Sequence, residues 1–189
     1  FGGNDAVEHL KFKPEVSARL ELAWWRLSKI PEGTRFSEYA MKHVKEQYGL
    51  SKSLAKEAAK LMIEALHEEN NGRNWEKATR KLKKFYQLIK DEVKLALEPS
   101  IVASLEVKLI RETSNKESLH AAYGAEETAR ELYAEVYRIS LFQAAKLAHL
   151  RVMANVERNL AQMGRGEHHW DRAHDYLEKF YRALKERVA

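Results

Sequence analysis

Three lysines follow a glycine-containing turn at a spacing that places them on one helical face. Residues 48–51 are Tyr-Gly-Leu-Ser, and Lys52, Lys56 and Lys60 follow at intervals of four. Residues four apart lie side by side along an α-helix. Two short helices joined by such a turn resemble a helix-turn-helix, whose second helix binds in the major groove of DNA. The pattern therefore predicts nucleic-acid binding, although the same corner is frequent in helical bundles of every kind.

A second basic segment, between residues 73 and 84, extends this candidate surface. Five residues of this segment belong to the predicted nucleic-acid site, namely Arg73, Lys77, Arg80, Lys81 and Lys84. Positive side chains with aromatic residues nearby can follow a phosphate backbone, and this attraction supplies much of the affinity for DNA or RNA. An ordinary solvated helix face is the alternative interpretation, because a net charge of +5 permits an anionic partner without requiring one.

Histidines and carboxylates elsewhere have spacings that could bind a metal ion. His168, Asp171 and Asp175 could share one helix face, and zinc accepts such ligands. The Glu-x-x-His motifs at 64–67 and 117–120 have a spacing found in di-iron helical bundles. These two motifs do not occupy equivalent positions in the repeat described below. We therefore expect no metal or other cofactor, and a metal-dependent helical enzyme is the least favoured function.

Several kinds of catalytic site are excluded by the residue types that are missing. The chain has no cysteine, which rules out disulfides, thiolate zinc sites and cysteine nucleophiles. It also has no glycine-rich phosphate loop and no nucleophile elbow. The sequence therefore favours a protein that is not an enzyme.

The elements that carry the basic residues occur twice in the chain. Three blocks of sequence recur in the same order, at offsets of 85, 89 and 95 residues. The recurring pairs include Pro14 and Pro99, Glu21 and Glu106, Tyr48 and Tyr137, Trp75 and Trp170, Phe85 and Phe180, and Tyr86 and Tyr181. Each offset is constant within its block and changes only between blocks, where loops tolerate insertions. This pattern predicts a tandem gene duplication.

The duplicated unit is predicted to be a set of four helices, which makes the chain all-α with about eight. With three prolines and eight glycines, the chain has too few turn residues for a sandwich or barrel. In the first copy we expect a helix from Pro14 to Leu27, then helices at 36–48, 52–67 and 75–97. Repeat 1 then covers residues 14–97 and repeat 2 residues 98–189, related by a pseudo-twofold axis and fused through a shared core.

Smaller features refine this prediction. A short helix around Asp5 to Phe12 is expected within the N-terminal segment, residues 1–13. Arg138 replaces Gly49 in the second copy, so its second and third helices are expected to run on with little break. Trp24 and Trp25 point about 100° apart on a helix, so both are buried only if that helix is covered on two sides.

The two copies differ on the face that carries the first three lysines. Lys52, Lys56 and Lys60 are replaced by Leu141, Ala145 and His149 in the second copy. A largely apolar face should be covered by the other copy or by a partner. The second functional hypothesis is therefore a non-catalytic assembly or scaffold subunit, which binds another protein or forms a homodimer through apolar helix faces.

Composition indicates the environment of the protein. Hydrophobic residues make up 44% of the chain, but no apolar run approaches the roughly 18 residues of a membrane span. No signal peptide is visible in the sequence as given, so we expect a cytoplasmic protein without membrane contact. The absence of cysteine, together with abundant Lys, Arg and Glu, resembles the composition of thermophile proteins.

Overall fold

A computed structural model describes residues 10–188, and within that range every regular element is a helix. The eight α-helices are α1 (Pro14–Leu27), α2 (Phe36–Tyr48), α3 (Lys52–His67), α4 (Trp75–Val93), α5 (Pro99–Thr113), α6 (Ala125–Tyr137), α7 (Leu141–Gln162) and α8 (His168–Val188). A single π-helical turn, Glu68–Gly72, extends α3. The all-α prediction is confirmed. The short helix expected around Asp5 to Phe12 lies mostly outside the described residues, and residues 10–12 are not helical.

Local signals in the sequence explain where most of these helices begin and end. Pro14 occupies the first turn of α1, where its fixed φ angle and missing N–H are tolerated. Gly49 ends α2 in the left-handed conformation, and the Ser51 hydroxyl caps α3 by accepting from the Leu54 N–H. The first three helices accordingly have the predicted bounds. Helix α4 ends four residues earlier than predicted, because Lys94 adopts a left-handed conformation.

The expectation that the second and third helices of repeat 2 run on is wrong. Arg138 adopts the left-handed conformation itself, with φ of 52°, although it carries a Cβ. Its guanidinium donates to the Ala96 carbonyl and forms an ion pair with Glu135, which holds the strained residue in place. Ser140 then begins α7 with a capping box. A left-handed residue therefore ends α6, as Gly49 ends α2.

The eight helices form a closed antiparallel ring. Each helix packs against its neighbours in the chain, and α8 packs against α1 to close the circle. The connections alternate between two ends, which we name the Ser51 end and the Ser28 end. The Ser51 end holds residues 49–51, 94–98 and 138–140, and the Ser28 end holds residues 28–35, 68–74, 114–124 and 163–167. Side chains therefore meet in the centre of the ring from all sides.

Three of the four tryptophans lie on α1 and α8, where the ring closes. Trp24 and Trp25 are both buried, as predicted, because α1 lies between α2 and α8 and also faces the centre of the ring. Arg26 covers the ring of Trp170 at 5.5 Å, and Arg111 covers that of Trp75 at 5.2 Å. The two cation–π contacts correspond to each other, because the sequence alignment of the two halves pairs Arg26 with Arg111 and Trp75 with Trp170. The tandem duplication remains a prediction from the sequence.

The apolar face predicted for the second copy is only partly covered. Leu141 is 52% exposed and its neighbour Phe142 is 90% exposed at the start of α7, whereas Ala145 is half-buried. His149 is exposed and lies 2.8 Å from the Glu126 carboxylate. Within residues 10–188, no helix combines the length and the apolar character that crossing a membrane requires.

Candidate functional site

Five of the eight predicted nucleic-acid residues lie on the outer face of α3 and α4. Lys52, Lys56 and Lys60 are exposed along α3. The Lys81 ammonium of α4 lies 2.7 Å from the Glu64 carboxylate, and Lys60 and Lys84 are near enough to help lower the pKa of Glu64. Three of the predicted cations thus surround one carboxylate, which reduces the positive potential of this face.

The other predicted cations are divided between neighbouring carboxylates and the Ser28 end. Lys77 forms an ion pair with Glu68 at 3.2 Å, and Arg80 forms one with Glu76 at 3.1 Å. Arg73 lies at the Ser28 end, away from the lysines at the start of α3. The eight residues therefore form a partly neutralised surface with one outlying member.

The predicted metal ligands are not brought together. His168, Asp171 and Asp175 are exposed, and the described residues contain no group of three or more His, Cys, Asp or Glu arranged to hold a metal ion. The histidine of this segment that is buried is His169, whose Nδ1 lies 2.5 Å from Glu157. The two Glu-x-x-His motifs are separate too, because their glutamates pair with Lys81 and Arg165 respectively.

A cavity of about 240 Å³ lies at the centre of the ring, and the sequence analysis did not anticipate it. Its wall combines aromatic rings with charged side chains. The lining reaches the surface at the Ser28 end, where Lys29, Asn70 and Asn115 are exposed. Cavities that combine apolar walls with a few polar groups are the usual form of small-molecule sites. We therefore take the cavity, rather than the basic face, as the principal candidate site.

One side of the cavity is a fully connected hydrogen-bond chain that ends at Glu21. The Trp24 indole N–H donates to His43 Nδ1 at 3.1 Å, and His43 Nε2 lies 2.8 Å from the Tyr181 hydroxyl. Tyr181 donates to Glu21 at 2.7 Å. This order assigns the proton of neutral His43 to Nε2, and burial lowers the pKa of His43 in agreement. Each donor in this series of hydrogen bonds thus faces an acceptor.

Arg151 completes this side of the cavity by forming an ion pair with Glu21. The guanidinium lies 2.9 Å from the Glu21 carboxylate and over the ring of Phe180 at 4.3 Å. Burial alone raises the pKa of Glu21, but the charges of Arg151 and His43 and the hydrogen bonds of Arg151 and Tyr181 bring it below 4.5. Glu21 is therefore ionised and neutralised in place.

Glu106 is the counterpart of Glu21 in the second half, and its surroundings are different. Burial raises the pKa of Glu106 to about 7, which the Tyr86 hydroxyl and the charge of Arg151 only partly oppose. No cation of the described residues forms an ion pair with it, and its Oε2 atom is buried without a hydrogen-bond partner. In the sequence alignment of the two halves, Met62 is paired with Arg151.

Three further titratable groups line the cavity toward the Ser28 end. Burial and the charge of Glu106 raise the pKa of Glu69 to about 8. Burial lowers the pKa of Arg158 to about 10, and its one hydrogen-bond partner among the described residues is the Ser28 hydroxyl at 3.2 Å. Burial, with the nearby charges of Arg158 and Arg73, also lowers the pKa of Lys29. The mouth of the cavity is thus positively charged.

Comparisons of the chain with models of known protein families, with curated proteins and with solved structures find no match.

Proposed function

We propose that this protein binds a small molecule in the cavity at the centre of its helical ring. The observation that carries the proposal is a set of wall atoms without protein partners. Glu106 Oε2, Arg151 Nε and Arg158 Nε are buried, and none of them meets a hydrogen-bonding group of the described residues. Because native proteins satisfy nearly all buried polar groups, such a convergence is typical of a site that binds a polar molecule.

The size and walls of the cavity define what fits. An apolar cavity of roughly 150 Å³ holds one benzene molecule, so about 240 Å³ accommodates a ligand with one ring or a short chain. Trp25, Tyr133 and Phe180 supply aromatic wall area. The opening near Lys29 and Asn115 gives the ligand a route from solvent.

Filling the cavity is expected to abolish ligand binding without unfolding the chain. Ile110 lines the cavity, and the first half carries Trp25 at the equivalent position, so Ile110→Trp introduces a side chain that the fold already accepts there. Thermal unfolding is measured with benzylamine, benzyl alcohol and sodium benzoate, three probes of one size and different charge. We expect at least one probe to raise the Tm of the wild type in proportion to the logarithm of its concentration, and Ile110→Trp to lose this response.

The matched control is Ile101→Trp, which places the same residue on the exposed part of α5. This variant should respond to the probes as the wild type does. The proposal fails if no probe stabilises the wild type, or if Ile110→Trp is stabilised equally.

A second candidate function is nucleic-acid binding by the outer face of α3 and α4. It is supported by the exposure of Lys52, Lys56 and Lys60 in one row. Replacing Lys52 and Lys56 together by glutamate should weaken binding to a labelled oligonucleotide, measured by fluorescence anisotropy at several salt concentrations. Each lost phosphate contact lowers the slope of log affinity against log salt by about 0.9 for duplex DNA.

The control for this experiment makes the same charge change elsewhere. Lys108 and Lys146 are exposed on α5 and α7, and their replacement by glutamate also changes the net charge by −4. Binding that is insensitive to salt, or is weakened equally by both double variants, argues against a specific face on α3 and α4.

A further inference from the structure

The cavity contains two equivalent glutamates, of which only one has a cation. Glu21 and Glu106 are paired by the alignment of the two halves, and both line the cavity. Glu21 accepts from Arg151 and Tyr181, whereas Glu106 has no ion-pair partner among the described residues and one wholly unpartnered oxygen. The same carboxylate is therefore neutralised on one side of the ring and left without a cation on the other.

The surroundings of Arg151 have a counterpart around Glu106. The Arg151 guanidinium lies 4.3 Å from the centre of the Phe180 ring and 5.9 Å from that of Tyr181. The alignment pairs these rings with Phe85 and Tyr86, and both of those line the cavity with Glu106. A carboxylate and two aromatic rings form a favourable environment for a cation.

The cation is missing because of one substitution between the halves. Met62 lines the cavity at the position that the alignment pairs with Arg151. A methionine side chain is shorter than that of arginine and has no charge, so it leaves the Glu106 carboxylate without a partner. Glu69 adds a second carboxyl group, and the nearby charge of Glu106 helps to raise the pKa of Glu69.

We infer that the ligand of this cavity carries a cationic nitrogen, an ammonium or guanidinium group, which binds Glu106 beside the rings of Phe85 and Tyr86 as Arg151 binds Glu21 beside Phe180 and Tyr181. This inference rests on the proposed small-molecule function and specifies the chemistry of its ligand. Glu69 lies near Arg158, and at pH 8, where its carboxyl is about half ionised, it partly compensates the positive charge of Arg158. Primary amines and guanidines with a short apolar chain are the ligand class.

The first test uses four probes of similar size in titration calorimetry at pH 8. Propylguanidinium reproduces the arginine side chain beyond Cα, propylammonium carries the other cationic group, propylurea is a neutral isostere, and butyrate is an anion. We expect the wild type to bind propylguanidinium roughly tenfold or more tightly than propylurea, since the charge-assisted hydrogen bonds are lost with the neutral probe. Stronger binding of butyrate or propylurea overturns the inference but leaves the small-molecule function standing, whereas no binding of any probe contradicts both.

The second test places the missing cation on the chain itself. Met62→Arg should occupy the Glu106 site, reduce propylguanidinium affinity roughly tenfold or more, and raise the Tm of the ligand-free protein at pH 8. Met62→Leu is the matched control and should retain wild-type binding. A lower Tm for Met62→Arg than for Met62→Leu, with propylguanidinium still bound, overturns the inference. If Met62→Arg does not fold, Glu106→Gln decides, because it should weaken propylguanidinium binding and leave propylurea binding unchanged.

Discussion

Replacing Arg151 by methionine is expected to destabilise the protein by about 3–5 kcal/mol, the usual cost of removing one partner from a buried ion pair. The substitution leaves Glu21, 6% exposed, without its cation in the centre of the ring. Methionine is the residue that the first half carries at the equivalent position, so the shape of the site changes little. Urea unfolding at pH 7 measures the loss as a lower midpoint at constant slope.

Two further variants test whether the buried charge is the cause. Arg182→Met removes an arginine whose ion pair with Glu178, at 2.7 Å, is on the surface, and its effect should be small. Glu21→Gln combined with Arg151→Met removes both charges, so this double variant should regain part of the stability that Arg151→Met loses. Equal losses for Arg151→Met and Arg182→Met would show that the buried pair has no special role.

The stability of the wild type is expected to fall as the pH rises from about 6.5 to 9. Burial raises the pKa of Glu69 from 4.5 to about 8 and that of Glu106 to about 7. At pH 6.5 the unfolded chain has already lost both protons while the folded chain still holds most of them. The folded carboxyls lose theirs only near pH 7 and pH 8, so up to that range unfolding releases protons and rising pH favours it. Below pH 6.5 the trend is opposed by His43, because its lowered pKa keeps it neutral in the fold and protonation favours the unfolded chain.

Glu69→Gln is expected to remove much of this pH dependence. The amide cannot ionise, so at pH 9 the variant should be more stable than the wild type by on the order of a few kcal/mol, or roughly 10 °C in Tm. At pH 5.5, only about one unit above the unfolded pKa of Glu69, the difference should be about 1.4 kcal/mol and so much smaller than at pH 9. Glu57→Gln on the exposed face of α3 is the control and should follow the wild-type profile. A Glu69→Gln profile parallel to that of the wild type would contradict the role of the buried carboxyl.

Most of the fold could be predicted because its signals are local. Pro14, Gly49 and Ser51 act within a few residues of their own position, and α1, α2 and α3 have the bounds that these residues predict. Arg138 could not be interpreted in this way, since its left-handed conformation depends on the Ala96 carbonyl, 42 residues away in sequence. Nor could the early end of α4 at Val93, because Lys94 is left-handed without a glycine.

The cavity could not be predicted from exposed charge, because its charged residues lie on apolar helix faces. Glu21 lies three residues after Ala18 and four before Trp25, a spacing that places a carboxylate among core residues. Glu106 repeats this placement, so the recurring glutamates carried a signal. Arg151 carried none, because the first half has Met62 there and the partner of Arg151 lies 130 residues away. Only the closed ring brings the two together.

Ring closure has a consequence for how the protein folds. Neighbouring helices make contacts of low sequence separation, which form quickly, whereas Tyr181 and Glu21 are 160 residues apart. The loop-closure entropy of that last contact must be overcome before α8 packs against α1. Because the cavity exists only once α1 and α8 have packed together, binding of a probe requires the closed ring and not merely the formation of the individual helices. A bound ligand should therefore slow the hydrogen exchange of backbone amides in all eight helices, and α1 and α8 should gain protection together.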